Sequence, residues 1–108
     1  MKTSEAYSIP GIKTIEDMVA EAFEVTVSEI MAPDKKGPGK EARFFLMWYM
    51  KKNTTLSLKL IGKKFSDRDH STVVYACKQV EIWKETDKIY RAKCEKALEI
   101  LEKIKVTK

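Results

Sequence analysis

IGKKFSDRDHSTVVYACKQVE, residues 61–81, is the stretch on which the fold of this chain turns. Leu58, Ile61 and Phe65 fall at three- and four-residue spacing, which predicts one face of a short helix. Thr54, Thr55 and Ser57 offer alternative N-caps for it. SDRDHST, residues 66–72, then interrupts the apolar rhythm, and Val73, Val74, Cys77 and Val80 resume it on a longer helix. Two helices joined by so tight a polar turn have the layout of a helix-turn-helix. In that layout the second helix enters the major groove by its N-terminal residues and the first crosses the backbone. Arg68, Asp69, His70, Ser71 and Thr72 crowd five polar side chains into the opening of the second helix. Free backbone N–H groups and the positive dipole end sit there. Lys59, Lys63, Lys64 and Lys78 flank them.

Upstream, Thr14 and Asp17 approximate a capping box, and Ile15, Met18, Val19, Ala22 and Phe23 share a helical face. Val25 and Val27 form a short apolar bridge, and Ser28 is a candidate cap for a brief turn through Met31. APDKKGPGKE, residues 32–41, holds two prolines, two glycines and three lysines and reads as a basic loop. A helix over residues 42–52 follows, apolar on every side from Phe44 to Met50, a pattern that marks burial all round or a partner face. Downstream, Thr86-Asp87 ends the long helix and starts the last one. Ile89, Tyr90, Cys94, Ala97, Leu98, Leu101 and Ile104 give that last helix its stripe. No run alternates convincingly for a strand. The expectation is an all-α domain of five main helices plus one short helix over residues 11–108, preceded by a flexible tail over residues 1–10.

One hundred and eight residues suit a single core, and 44% apolar with 34% charged excludes a disordered polyelectrolyte. No window approaches the roughly 20 apolar residues of a membrane span, and none has a signal-peptide layout, so a cytoplasmic location is expected. Two cysteines are too few for a disulfide scaffold. The net charge of +5 is unevenly spread. Residues 1–33 carry two basic and six acidic side chains, residues 34–70 ten and four, and residues 71–108 nine and six. A basic middle third points to an anionic partner, most often nucleic acid.

Other constellations read more plainly. GPGKE, residues 37–41, lacks the hydroxyl and the preceding strand of a phosphate loop, so no bound nucleotide and no cofactor are expected. Cys77, Cys94, Trp48, Trp83 and the methionines Met18, Met31, Met47 and Met50 read as packing. Asp67, Asp69 and His70 invite a metal-dependent nuclease reading. A catalytic metal normally needs about three convergent ligands, and the chain has one histidine. No metal is expected.

The same stretch resembles the signature of the C-terminal DNA-binding domain of the bacterial replication initiator DnaA, approximately IG..FGGRDHTTVLHA.RKIE. Ile61, Gly62, Phe65, Arg68, Asp69, His70, Thr72, Val73 and Ala76 match it without a gap. TIEDMVAEAFEVTVSEIM, residues 14–31, resembles the family's opening helix and turn. The resemblance implies a Trp-repressor-like all-α helix-turn-helix module, acting as a monomer on double-stranded DNA sites of the TTATCCACA type, with no membrane partner. It implies base contacts by Asp69, His70 and Ser71. It implies backbone or groove contacts by Lys35, Lys36, Arg43, Lys51, Leu58, Lys59, Arg68 and Thr72, with Lys35 at the minor groove.

Departures from the pattern carry their own expectations. The family's basic loop is arginine-rich, whereas PDKKGPGKEARF, residues 33–44, places Asp34 and Glu41 there and Phe44 where a polar residue helps hold phosphate. Lysine suits a narrow minor groove less well than arginine, whose weaker hydration makes burial easier. Ser71 lacks the methyl of the usual threonine. Weaker binding or a shifted site preference is the consequence. Family initiators carry an ATPase module with Walker motifs, which 108 residues do not accommodate, so a stand-alone domain is expected. As a complete chain it would bind DNA without ATP-driven origin opening; as a fragment it would take that activity from the missing module. The rival to DNA binding is a protein-interaction module of the same fold, which would expose aromatics of the Phe44–Met50 stretch. A stand-alone transcription regulator is a further alternative.

Overall fold

The computed structural model describes residues 14–33 and 37–106, with side chains described as far as Glu102. The expected tail over residues 1–10 and the lysines Lys35 and Lys36 lie outside the described residues. Six helices follow one another: α1 (Ile15–Phe23), α2 (Val27–Met31), α3 (Lys40–Asn53), α4 (Leu58–Lys64), α5 (His70–Thr86) and α6 (Lys88–Val106).

The first two helices start by the same device. The Thr14 hydroxyl accepts from the Asp17 N–H while Asp17 accepts from Thr14, and Thr26 and Glu29 repeat the reciprocal pair. The second box corrects the expected cap at Ser28. Thr26 takes an extended conformation one residue ahead of Val27, so the helix begins earlier and Ser28 lies inside it. Glu24 closes α1 in the left-handed region, at φ 60°.

Helix α3 is the hub. Every side chain from Ala42 to Met50 is buried, as an all-round apolar helix requires. It packs most extensively against α5, while α1 lies along α6 and α4 against α5. Phe23 and Phe45 meet at 5.6 Å between ring centres, and Phe23 meets Tyr90 at 5.7 Å. α3 begins two residues before the expected start, at Lys40, because Gly39 supplies its N-cap against the end of α2. A Cβ on Gly39 would stand 2.2 Å from the Glu29 carbonyl oxygen.

The helix-turn-helix is fixed at Gly62. A Cβ there would stand 2.2 Å from the Arg68 carbonyl oxygen, and the Arg68 N–H donates back to the Gly62 carbonyl at 2.8 Å. Between them Ser66 and Asp67 both adopt positive φ, 61° and 56°, a conformation that disfavours residues bearing a Cβ. Of the three candidate caps for α4, Ser57 is the one used, accepting from the Leu60 N–H. Asp87 starts α6 by accepting from the N–H groups of Ile89 and Tyr90.

The expected α6 stripe holds for Tyr90, Cys94, Ala97 and Leu101, all buried. Ile89 is the correction, at 71% exposed. It occupies the first turn of α6, beside the α5–α6 junction, and its neighbour Tyr90 points inward instead. Burial pushes the Cys94 thiol up to about 11 and raises Cys77. Both thiols are free, in keeping with packing roles.

Gly62→Ala is expected to lower the unfolding free energy by about 2 kcal/mol or more, since backbone rather than a flexible side chain meets the new Cβ. Asp67→Gly is expected to raise it by up to about 1 kcal/mol, by relieving the left-handed strain. Urea unfolding of both variants checks the pair; an unchanged Gly62→Ala would contradict the close approach.

Candidate nucleic-acid interface

The turn just described aims the start of α5 outward. Asp69 is the N-cap by its extended backbone, yet its side chain makes no cap bond to the helix. The Asp69 carboxylate is instead held sideways, accepting from the Ser71 hydroxyl at 2.6 Å and lying 3.2 Å from the His70 Nδ1. The side chains of His70 and Asp69 are 64% and 68% exposed. The Ser71 hydrogen bond, aided by His70, holds the Asp69 carboxyl below its ordinary value. Donor and acceptor groups thus stand together on the surface in fixed relation: an imidazole, a hydroxyl and a carboxylate.

Two clefts flank this tip. One, about 470 Å³, is lined by Lys59, Lys63, Asp67, Arg68, Asp69 and His70, and lies between α4 and α5. The other, about 360 Å³, is lined by Pro33, Lys40, Arg43, Phe44, Arg68, Thr72 and Tyr75, and lies between the loop before α3 and the first turns of α5. Lys59 is exposed in the first turn of α4, beside half-buried Leu58, and Lys51 is exposed in the last turn of α3. Thr72 is half-buried at the second cleft. The structure therefore gathers Leu58, Lys59, Arg68, Asp69, His70, Ser71 and Thr72 around one helix opening, with Arg43 at the floor of the second cleft.

Two of the expected DNA-backbone residues carry a structural task. Arg43 is only 1% exposed, and its Nε donates to the Ile30 carbonyl at 2.7 Å and its Nη2 to the Glu29 carbonyl at 3.1 Å. These carbonyls belong to the last turn of α2, which has no helical partners for them. Arg68 donates from Nη1 to the Phe65 carbonyl at 2.7 Å and from Nη2 to the Ala32 carbonyl at 3.0 Å. Ser66 adds a hydroxyl bond to the Met31 carbonyl. A planar guanidinium with five donors can serve several carbonyls at once, which a lysine cannot.

Lys40 and Tyr75, which the motif comparison leaves out, join the second cleft. The signal for Tyr75 was its spacing, three residues beyond Thr72 and four beyond Ser71, which puts it on the same exposed flank of α5. The Phe44–Met50 stretch shows no exposed aromatic patch: Phe44, Trp48 and Tyr49 are all buried. The rival interaction module required that patch. Among the described residues no group of three His, Cys, Asp or Glu side chains is placed to hold a metal ion. No helix of the described residues is long and apolar enough to cross a membrane.

The model of the bacterial DnaA protein helix-turn-helix matches residues 12–80, which include α1 to α4 and most of α5. This chain belongs to the bacterial DnaA helix-turn-helix family. Among its relatives is the chromosomal replication initiator protein DnaA of Thermodesulfovibrio yellowstonii, 42% identical over 76 residues, 70% of this chain and 17% of the relative. The protein of the same name in Flavobacterium psychrophilum is 34% identical over 81 residues, covering 75% and 17%. That of Wolbachia pipientis wMel is 38% identical over 76 residues, covering 70% and 16%. The chain thus spans about one-sixth of the length of these DnaA relatives. α6 lies beyond the part that the family model matches.

Arg43→Met is expected to lower the stability of the DNA-free protein by about 2–4 kcal/mol, because two buried carbonyls lose their donor. An unchanged urea midpoint would contradict the structural role. The depressed Asp69 value contributes stability above the ordinary carboxylate value, and this is lost as pH falls through the folded-state value. Ser71→Ala is expected to move the Asp69 titration up toward its ordinary 3.8, read by NMR of the carboxyl. No movement would mean that the hydroxyl bond is not formed in solution.

Proposed function

We propose that this chain binds double-stranded DNA sequence-specifically at sites of the DnaA-box type, as a monomer and without catalysis of its own. The observation that carries the reading is the exposed Asp69–His70–Ser71 tip of α5, held at a rigid turn between clefts with lysines in their walls. A helix-turn-helix reads base edges with such residues, while phosphate contacts set its register. His70 can donate to or accept from purine edges, and Asp69 can accept from a cytosine amino group. The carboxylate also opposes any docking that brings it near phosphate, which narrows the allowed geometries.

Around this tip, Lys51 and Lys59 add sequence-independent affinity by releasing counterions from the duplex. Leu58 and Lys59, at the start of α4, offer backbone N–H groups to a phosphate, and Thr72 a hydroxyl. Arg43 and Arg68 shape the floor and add positive field there. Lys35 and Lys36 complete the basic loop, with Lys35 directed to the minor groove. The printed name of the DnaA relatives supports a role in replication initiation or in its control. Any ATP-dependent opening would come from another module, because this domain supplies the DNA-reading part alone.

A labelled TTATCCACA-type duplex and a scrambled duplex, titrated across a salt series, test the reading. The expected result is preference for the box, reduced by about 1–3 kcal/mol in His70→Ala. Equal and steeply salt-dependent binding to both duplexes would reject base reading by α5.

A further inference from the structure

Phe44 stands at the centre of an arrangement that sequence comparison alone does not reveal. Its ring is buried and stacks on Trp83, with 5.7 Å between ring centres and 18° between planes. Two side chains rest on what is left of it. Lys40 holds its Nζ 5.6 Å from the ring centre, and Tyr75 meets the ring edge-on at 5.9 Å and 89°. Tyr75 is 56% exposed, so Phe44 supports its ring while leaving it open to solvent. Lys40, Tyr75 and Thr72 all line the 360 Å³ cleft, above the guanidinium groups of Arg43 and Arg68.

A phenylalanine offers no hydrogen bond to an anion, yet this cleft brings together an ammonium, a phenol and an aliphatic hydroxyl, with two further cations behind them. No carboxylate lines it among the described residues. Those groups match the requirements of a phosphodiester oxygen pair: one charged donor and two neutral donors around a negative centre. Tyrosine has only two side-chain torsions, and Phe44 already restrains the ring, so little freedom is lost on contact. A free nucleotide would need a base pocket as well, whereas the cleft opens along the flank of α5, where a duplex backbone would pass.

We infer that the cleft between the loop before α3 and the start of α5 seats one backbone phosphate of the bound duplex, with Tyr75 and Lys40 as its donors alongside Thr72. Phe44 acts as the platform that positions both. The inference rests on the DNA-binding reading above and extends it to two residues outside the family signature.

The test uses Tyr75→Phe and Lys40→Gln in the full chain, against the same box and scrambled duplexes. Thermal melts matching the parent confirm that both variants fold. A phosphate contact carries no sequence information, so each variant is expected to weaken binding to both duplexes by the same factor, about 5- to 10-fold. Lys40→Gln is also expected to make the salt dependence shallower by about one counterion. A single methylphosphonate, scanned along each strand of the box, is expected to weaken the parent at one position where neither variant responds further. If the parent prefers the box but both variants bind as it does, the phosphate seat is wrong and the DNA-binding reading stands. If Tyr75→Phe changes only the preference between duplexes, Tyr75 reads a base and the seat is wrong. If the parent binds neither duplex at low salt, the DNA-binding reading fails and the seat falls with it.

Discussion

The approach of α4 to the following turn at Gly62 governs the rest of this surface. With only a hydrogen at that position, the Arg68 carbonyl sits where a Cβ would otherwise be, and the Arg68 N–H returns to Gly62. The chain must then reverse within residues 65–69, which forces Ser66 and Asp67 into left-handed backbone. The result is that α5 leaves the turn in one direction, with Asp69, His70 and Ser71 at its tip. Arg68 reinforces the turn by tying it to the Ala32 carbonyl, and Arg43 ties α3 to the end of α2. Two guanidinium groups thereby collect the unpartnered carbonyls of two chain segments.

This use of arginine explains the division of charge across the domain. The arginines nearest the interface lie at least partly inside, where planar, multi-donor geometry serves backbone oxygens best. Exposed positive charge falls to lysines, including Lys51 and Lys59, whose compact ammonium groups suit solvated contact with a phosphate line. Inside the core, Glu81 accepts from the Trp48 indole N–H at 2.7 Å and pairs with Lys52 at 3.5 Å, joining α5 to α3. The indole bond holds that carboxyl below its ordinary range. The recognition helix is therefore pinned at both ends of its buried face, a condition for reading bases at fixed register.

Much of this was legible in the sequence because it rests on local rules. The Thr14–Asp17 box, the all-round apolar α3, the Ser57 cap among its alternatives and the Thr86-Asp87 junction are each set by neighbours within four residues. The failures are tertiary. Ser28 and Thr26 are equally good caps by type, and which is used depends on where α1 ends in its left-handed Glu24. Ile89 fits the α6 stripe by spacing, but no helix covers that first turn. Arg43 and Arg68 looked like surface cations because the carbonyls that claim them lie 13 and 36 residues away in sequence. Tyr75 and Lys40 are brought together only by Phe44, 31 residues before Tyr75 and on another helix.

Amide NMR of the labelled chain titrated with the box duplex tests the central claim most directly. The account predicts saturating, one-to-one shifts that are largest over residues 69–75, with smaller ones at Leu58 and Lys59, and weaker unsaturated shifts with the scrambled duplex. Shifts centred on Ile82 and Ile89 instead, or identical for both duplexes, would contradict the claim that the opening of α5 reads DNA.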